Sequence, residues 1–248
     1  MGERCKKLEP LLEGEAKAQY VEAMFSRIAK RYDLVNTVMT LGMHHRWRRM
    51  TAELAIAGLK GKAMDIGTGT GDLALALAAR ADVTKVIGVD FSSNMLKLAF
   101  QKAKGEKLEH KIDFILGDAL SLSFVDDSFA CATAGFTVRN AVDVSKMIGE
   151  MRRVVIPGGR VVILELTPLT PGNPLAPLVD LYLNGWIPLV GRGLARDRAA
   201  YSYLSRSVGS FPTSSELARL LERVGLRKVS YRVLGMGAVA IHWGLKER

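Results

Sequence analysis

Three glycines on alternate positions followed by an acid, Gly67-Thr68-Gly69-Thr70-Gly71-Asp72, carry the most chemistry per residue in this 248-residue chain. A short apolar stretch, Met64-Asp65-Ile66, runs into them, and a helical pattern of Leu73, Leu75, Ala76, Leu77 and Ala79 follows at once. A turn of this kind lets a ligand lie almost against the backbone, where a Cβ would collide. Downstream, Val86-Ile87-Gly88-Val89 ends in Asp90, an acid placed to accept hydrogen bonds from two ribose hydroxyls. A further strand pattern over Ile112–Leu116 leads to Gly117-Asp118-Ala119, placed to meet an adenine amine. Asp65, Gly67, Thr68, Gly69, Thr70, Asp90, Asp118 and Ala119 are therefore the candidate residues for a nucleoside cofactor.

Spacing separates the candidates for that cofactor. Dinucleotide binders use G-x-G-x-x-G, with the helix start facing a pyrophosphate. Here the pattern is G-x-G-x-G-D, and Asp72 puts a carboxylate at the helix start. A carboxylate repels a pyrophosphate but suits a ligand with a sulfonium and an amino group. The loop alone also fits a plain turn and cap. The ordered series of loop, Asp90 and Asp118 points instead to S-adenosyl-L-methionine.

The elements that position these residues follow from the hydrophobic pattern. Strands are expected at 62–66, 85–90, 112–116, 129–134 and 160–166, alternating with helices, which implies a parallel sheet covered on both faces. A helix is expected at 214–224 with Gly225 as its glycine stop, then two strands near 228–234 and 238–243. Together these make an α/β, Rossmann-like sheet of seven strands, mostly parallel, its last hairpin adding one antiparallel strand. Residues 1–60 form an N-terminal helical extension on the substrate side, with Val21, Met24, Phe25 and Ile28 on one helical face; 61–248 form the cofactor-binding domain.

Polar residues just past the fourth strand, Phe136-Thr137-Val138-Arg139-Asn140, sit where open α/β sheets line their ligand crevice. Whatever receives the transferred group should meet them, although an arginine there also suits a surface ion pair. Two cysteines, Cys5 and Cys131, lie far apart and show neither a disulfide framework nor zinc spacing, so no metal and a reducing cytoplasm are expected. The start of the chain is charged rather than signal-like, and no run of about 20 uninterrupted apolar residues occurs.

The net charge of +10 is spread out, with clusters at Arg46-Trp47-Arg48-Arg49, Arg152-Arg153 and Arg192 to Arg198. A solvated basic surface accounts for it; of specific partners, a membrane surface is favoured over nucleic acid. A nucleic-acid methyltransferase directed at amino groups would need Asn-Pro-Pro-aromatic after strand four, where Gly135-Phe136-Thr137 stands. The apolar stretch 174–194 carries two prolines, Asp180 and Asn184, against a membrane span. It reads as a cover over the crevice or as an interfacial lip.

Several linked motifs extend beyond the cofactor loop. Tyr32, Asp33, Asn36, Gly42, His44 and Trp47 follow a Y-D-x-x-N…G-x-H-R-x-W pattern, and Arg153-Val154-Val155-Ile156-Pro157-Gly158-Gly159 leads to Glu165. With Tyr201-Ser202-Tyr203-Leu204, Phe211-Pro212 and Gly237-Ala238-Val239-Ala240, the chain resembles the ubiquinone/menaquinone biosynthesis C-methyltransferase family along nearly its whole length. It departs from the pattern at His45, where an arginine is usual, and at Gly135, where relatives carry serine beside the cofactor. The Gly135 backbone could still serve, so it joins the candidate cofactor set.

The resemblance implies methyl transfer from S-adenosyl-L-methionine to a ring carbon of a reduced, isoprenylated quinone, with demethylmenaquinol preferred over the benzoquinol. It implies Arg139 stabilising a developing phenolate, Asn140 orienting the quinol oxygen, and Tyr32, His44 or a water as the proton acceptor. Each has a plainer role open to it: Tyr32 and Trp47 as packing aromatics, Asp33 and Asn36 as ties at a helix break, His44 as a structural histidine. Glu165 fits closing the pocket better than acid–base work. Alternatives of another kind are a methyltransferase of the same fold acting on another lipophilic molecule, and a non-catalytic quinone-binding protein. The assembly implied is cytoplasmic, with peripheral contact at the inner face of a membrane; a homodimer is the oligomer considered.

Overall fold

The computed structural model describes residues 14–169, 185 and 198–247. The expected stretch 174–194 therefore lies outside the described residues, apart from Gly185, as do Cys5, Arg192 and Arg196. Helices α1 (Gly14–Thr40) and α2 (Met43–Ile56) precede β1 (Gly61–Ile66), α3 (Asp72–Ala78), β2 (Val83–Asp90), α4 (Ser93–Gly105) and β3 (Ile112–Leu116). There follow β4 (Phe129–Gly135), a 3-10 turn (Val138–Asn140), α5 (Val144–Val154), β5 (Val155–Leu166), α6 (Arg198–Gly209) and α7 (Ser214–Arg223). The chain closes with β6 (Leu226–Leu234), a 3-10 turn (Gly235–Gly237) and β7 (Val239–Lys246).

The seven strands form one sheet in the order β3-β2-β1-β4-β5-β7-β6. β1 to β5 pair in parallel, and β7 inserts antiparallel between β5 and β6. Alternation along the strands decides which face each residue serves. On β5, Val162 and Leu164 join the cluster built by Trp47, Ala52 and Ala55 of α2 and Leu73 and Leu77 of α3. Val161 and Ile163 face the opposite way, onto Met147, Ile148 and Met151 of α5 and Leu217 and Leu221 of α7. A third, smaller cluster joins Val21, Met24, Val35 and Met39 of α1 to Tyr203 of α6.

Local chemistry sets the element ends. Ser92 and Asp143 accept hydrogen bonds from the amides of Met95 and Lys146 and so start α4 and α5. Thr213 and Glu216 form a capping box on α7, and Gly225, at φ +93°, ends that helix as its sequence pattern requires. One element departs from expectation. The fifth strand, expected at 160–166, starts at Val155, so Pro157-Gly158-Gly159 lies inside β5. The register there slips from Phe129 opposite Val155 to Cys131 opposite Arg160, so these residues are absorbed as a bulge.

The chain steps outward from β1 to β2 and β3, then returns to the other side of β1 with β4. At that switch point the carboxyl ends of β1 and β4 part, opening the crevice in which α/β sheets bind ligands. α1 lies across it: Lys17 Nζ donates to the carbonyl of Ala141 at 2.7 Å, and Ser26 Oγ meets Ser92 Oγ at 3.1 Å.

Candidate active site

The crevice begins at the glycine loop. Gly67, Gly69 and Gly71 all have positive φ, at +63°, +56° and +85°. Their surroundings differ. A Cβ on Gly67 would stand 2.2 Å from Thr137 Oγ1, so that glycine is required by the segment following β4. A Cβ on Gly69 would meet nothing within 4 Å, leaving its face open to a ligand. Asp90 crosses the end of β2, its Oδ2 accepting from the Gly69 amide at 2.8 Å and its Oδ1 from the Ser92 amide at 2.9 Å. Burial raises its pKa, against the pull of those amides.

Asp65 lies beneath the loop and is 1% exposed. It accepts from the hydroxyls of Thr68 at 2.7 Å and Thr133 at 2.8 Å, and burial pushes its pKa up to about 6. Asp65 and Thr68 thus brace the loop from behind. Thr70 also turns away from the crevice, donating to Asp33 Oδ1 of α1 at 2.6 Å and accepting from Lys102 Nζ at 3.1 Å. Asp118 is exposed on the neighbouring β3 turn, its Oδ1 accepting from the Leu120 amide at 2.8 Å; with Ala119 it stands outside the crevice lining. Gly135 belongs to that lining, with Gly67, Gly69 and Asp90.

Asp72 has a different partner from the one its spacing suggests. Its carboxylate pairs with Lys102 Nζ and lies 3.6 Å from Arg48 Nη1, rather than facing the ligand. Burial works against ionisation, yet the two cations together hold Asp72 below the usual carboxylate range. Lys102 also reaches Asp33 at 2.8 Å. The result is a polar knot fastening α1 and α2 to the glycine loop.

A second, largely apolar cavity of about 190 Å³ adjoins the crevice. Met24, Ile28, Met39 and Trp47 of α1 and α2 line it, with Leu166, Leu204 and Val239 from the far side. Phe25, Tyr32, Phe136 and Asn140 line both spaces. They form the partition across which a donor and an acceptor would meet. Phe136 holds φ at +58°, a strained conformation for an aromatic residue, and its ring lies under the guanidinium of Arg48.

The polar groups of the cavity are few. Arg139 is buried against Glu165, Nη1 to Oε1 at 2.6 Å, while Glu165 Oε2 also accepts from the Arg139 amide at 3.2 Å. Nη1 further donates to the Phe136 carbonyl at 2.7 Å. Arg139 thus brings a charge already balanced by Glu165, with its Nε left unpartnered among the described residues. Asn140 Oδ1 accepts from the Tyr203 hydroxyl at 3.2 Å, and its buried Nδ2 has no partner among them.

His44 also lines the cavity, but both of its ring nitrogens are engaged. Arg48 donates to Nδ1, so Nε2 carries the proton toward Thr37 Oγ1 at 3.1 Å. Thr37 passes its own hydroxyl proton to the Asp33 carbonyl at 2.8 Å, which fixes that direction. Burial first, and then Arg48, holds the His44 pKa down to about 3. Arg48, Lys102, Thr133 and Tyr203 were not among the residues expected from spacing. Tyr203 had a signal, since it lies in one of the C-terminal family motifs.

A parallel sheet with an inserted antiparallel strand, a glycine loop after β1 and an acid closing β2 define a class I S-adenosylmethionine-dependent methyltransferase. The fold matches a solved SAM-dependent methyltransferase from Thermotoga maritima with a TM-score of 0.60 at 18% identity, over 91% of this chain and 99% of that one. It also matches phosphoethanolamine N-methyltransferase 2 of Haemonchus contortus in complex with S-adenosyl-L-methionine, with a TM-score of 0.59 at 15% identity, over 82% and 53%.

The chain belongs to the ubiE/COQ5 methyltransferase family, whose model matches residues 13–246. It is 42% identical over 236 residues to the demethylmenaquinone methyltransferase of Roseiflexus castenholzii, covering 94% of this chain and 95% of that protein. It is 41% identical to the ubiquinone/menaquinone biosynthesis C-methyltransferase of Desulfotalea psychrophila, over 93% and 92%. The protein is a methyltransferase that uses S-adenosyl-L-methionine. Gly67, Gly69 and Asp90 fit that cofactor, since the face of Gly69 is open and Asp90 stands beside it.

Proposed function

We propose that the protein methylates a ring carbon of demethylmenaquinol to give menaquinol, the sequence relatives supplying the substrate class. The observation that carries the reading is the shared partition: Tyr32, Phe136 and Asn140 border both the cofactor crevice and an apolar cavity suited to a naphthoquinol ring. Bound S-adenosyl-L-methionine supplies an electrophilic methyl group on a positively charged sulfur. Helices α1 and α2 act as the substrate-side extension, holding the acceptor ring against the partition and excluding water.

A hydroquinone carbon becomes a useful nucleophile when a neighbouring hydroxyl ionises and pushes electron density into the ring. Asn140 Nδ2 is the donor assigned to that oxygen, because it is buried, unpartnered among the described residues and borders the cavity. Arg139 adds its Nε, with Glu165 keeping the guanidinium in place. The hydroxyl proton leaves by way of Tyr32, whose side chain borders both spaces. His44 serves as a wall and not as a base, since both ring nitrogens are taken. Methyl transfer leaves the ring carbon tetrahedral and the neighbouring oxygen a carbonyl; that carbon then gives up its proton, the oxygen regains one, and the aromatic hydroquinone returns with one proton released overall. Alignment of carbon, methyl and sulfur supplies much of the acceleration.

The mouth of the cavity suits a lipid-tailed acceptor. Leu41, Met43 and Met236 line it and are 79%, 43% and 44% exposed, and Arg46 and Arg49 are exposed on α2 beside them. This rim rests on an anionic membrane surface, the cytoplasmic inner face, while the isoprenoid tail stays in lipid. Among the described residues no helix is long and apolar enough to cross a membrane. Co-sedimentation with anionic vesicles checks the contact: a Leu41→Glu, Met43→Glu variant should remain in the supernatant.

The direct test is methyl transfer to chemically reduced demethylmenaquinol, followed by mass spectrometry, with the demethylated benzoquinol precursor in parallel. A gain of one methyl on the naphthoquinol is expected. Gain on both identifies an enzyme serving ubiquinone biosynthesis as well. No gain on either, with cofactor binding confirmed, overturns the substrate assignment.

A further inference from the structure

An asparagine side chain presents either a donor or an acceptor to a ligand, and its own hydrogen bonds decide which. Asn140 has one such bond within the described protein, from the hydroxyl of Tyr203 to Oδ1. A phenol hydroxyl serves the two ends of the amide in different roles: it donates to Oδ1 or accepts from Nδ2. At 3.2 Å the Tyr203 hydroxyl donates to Oδ1, and Nδ2 is left as the unengaged end of the amide.

We propose that Tyr203 is a positioning residue that locks the Asn140 amide with Nδ2 turned toward the acceptor, making Asn140 a hydrogen-bond donor to the ionising quinol oxygen. The reading rests on the quinol assignment above. Three observations carry it. Asn140 and Tyr203 both line the apolar cavity, and each is buried. Nδ2 is left without a partner there, a costly state for a buried donor unless a ligand completes it. Finally, Tyr203 is itself held in place: its ring packs on Tyr20 with centroids 5.7 Å apart and joins the cluster formed by Val21, Met24, Val35 and Met39.

The consequence is specific to this arrangement. Tyr203 comes from α6, far along the chain from Asn140, so the donor is set only when α1 and α6 are packed together. Removing the hydroxyl leaves the ring and its packing but frees the amide to turn, so that Oδ1 faces an oxygen of like polarity for part of the time.

The experiment is a double-mutant cycle on methyl transfer with Tyr203→Phe, Asn140→Ala and the double variant. Tyr203→Phe should lower kcat about tenfold, a fraction of what loss of an entire anion-stabilising donor costs, with cofactor affinity unchanged. Asn140→Ala should cost more, and adding Tyr203→Phe to it should cost nothing further. The acid limb of kcat against pH should move upward in Tyr203→Phe, because an unassisted quinol ionises at higher pH. Equal losses in both backgrounds, or an unmoved acid limb, would mean that Tyr203 merely supports the fold, and would overturn the role. Unchanged kcat in Tyr203→Phe overturns it as well. Absence of product from the wild type overturns the quinol reading and this role with it, whereas product from the wild type with an indifferent Tyr203→Phe overturns the role alone.

Discussion

The glycine-loop crevice and the apolar cavity share a partition but are assembled in different ways. The floor of the crevice is set by backbone at adjacent strand ends, with glycines at positive φ after β1, an acid closing β2 and amides aimed at it, while Phe25 and Tyr32 of α1 close it from above. The cavity is made of side chains drawn from α1, α2, the turn after β4, the end of β5, α6 and the turn before β7. Backbone geometry constrains residue type tightly and locally. A wall of side chains constrains size and polarity while leaving identity freer, so cofactor and acceptor recognition answer to different kinds of substitution.

Substitution at two glycines of the same loop tests the first half of that contrast, and it carries the largest expected effect. Gly67→Ala adds a Cβ 2.2 Å from Thr137 Oγ1 at a φ of +63°, so loop and post-β4 segment must both move. Cofactor affinity by calorimetry should fall at least about a hundredfold, together with a lowered Tm. Gly69→Ala meets open space, so its strain is in φ alone and its cost should fall chiefly on affinity. Equal Tm losses in the two variants would show that the loop is not divided between a packed glycine and a ligand-facing one.

In the cavity, the next largest effect belongs to the buried ion pair. Glu165→Gln leaves the Arg139 guanidinium, 7% exposed, without a counter-charge. Breaking a buried pair from one side costs on the order of 3–5 kcal/mol, to be read from the shift in urea midpoint. Replacing both members, Arg139→Met with Glu165→Leu, should recover much of that stability while abolishing methyl transfer. If the double variant stays as unstable as the single one, charge balance is not what Glu165 supplies.

These contrasts also explain what was legible in the sequence. The glycine loop, Asp90 and the strand series follow from local periodicity and turn chemistry, and the parallel character of the sheet follows from the alternation of elements. Even there the side-chain directions were hidden. Thr70 and Asp72 stand in the loop motif, yet they face Asp33, Lys102 and Arg48, partners brought close only by the packing of α1, α2 and α4. Glu165 could be placed at a strand end but not on Arg139, and Asn140 could not be joined to Tyr203, because the α6 contact is long-range. The Pro157-Gly158-Gly159 bulge hid the first residues of β5, because Pro and Gly punctuate turns and bulges alike and leave the strand pattern to start only at 160.

The smallest expected effect, and the one that most sharpens the comparison, is in the pH dependence of stability. Asp65 beneath the crevice and His44 in the cavity wall are both perturbed by burial, in opposite directions relative to their unfolded values. Asp65 rises from 3.8 to about 6. As pH falls through 6 toward 4 the native state takes up a proton before the unfolded chain does, so this group adds stability on acidification. His44 is lowered from 6.5 to about 3. Between those values the unfolded chain binds the proton and the native state does not, so this group removes stability over the same range. His242, held down to about 4, acts in the same sense as His44 but belongs to neither site, and a difference between variants cancels it. Urea unfolding should therefore be measured from pH 7 to pH 4 for the wild type, Asp65→Asn and His44→Gln. Relative to Asp65→Asn the wild type should gain stability as pH falls, and relative to His44→Gln it should lose it. Two differences with the same sign of slope would mean that one of these groups does not hold its proton as the geometry requires. Opposed slopes would show that mild acid favours the protonated Asp65 beneath the glycine loop while disfavouring the neutral His44 in the wall of the apolar cavity.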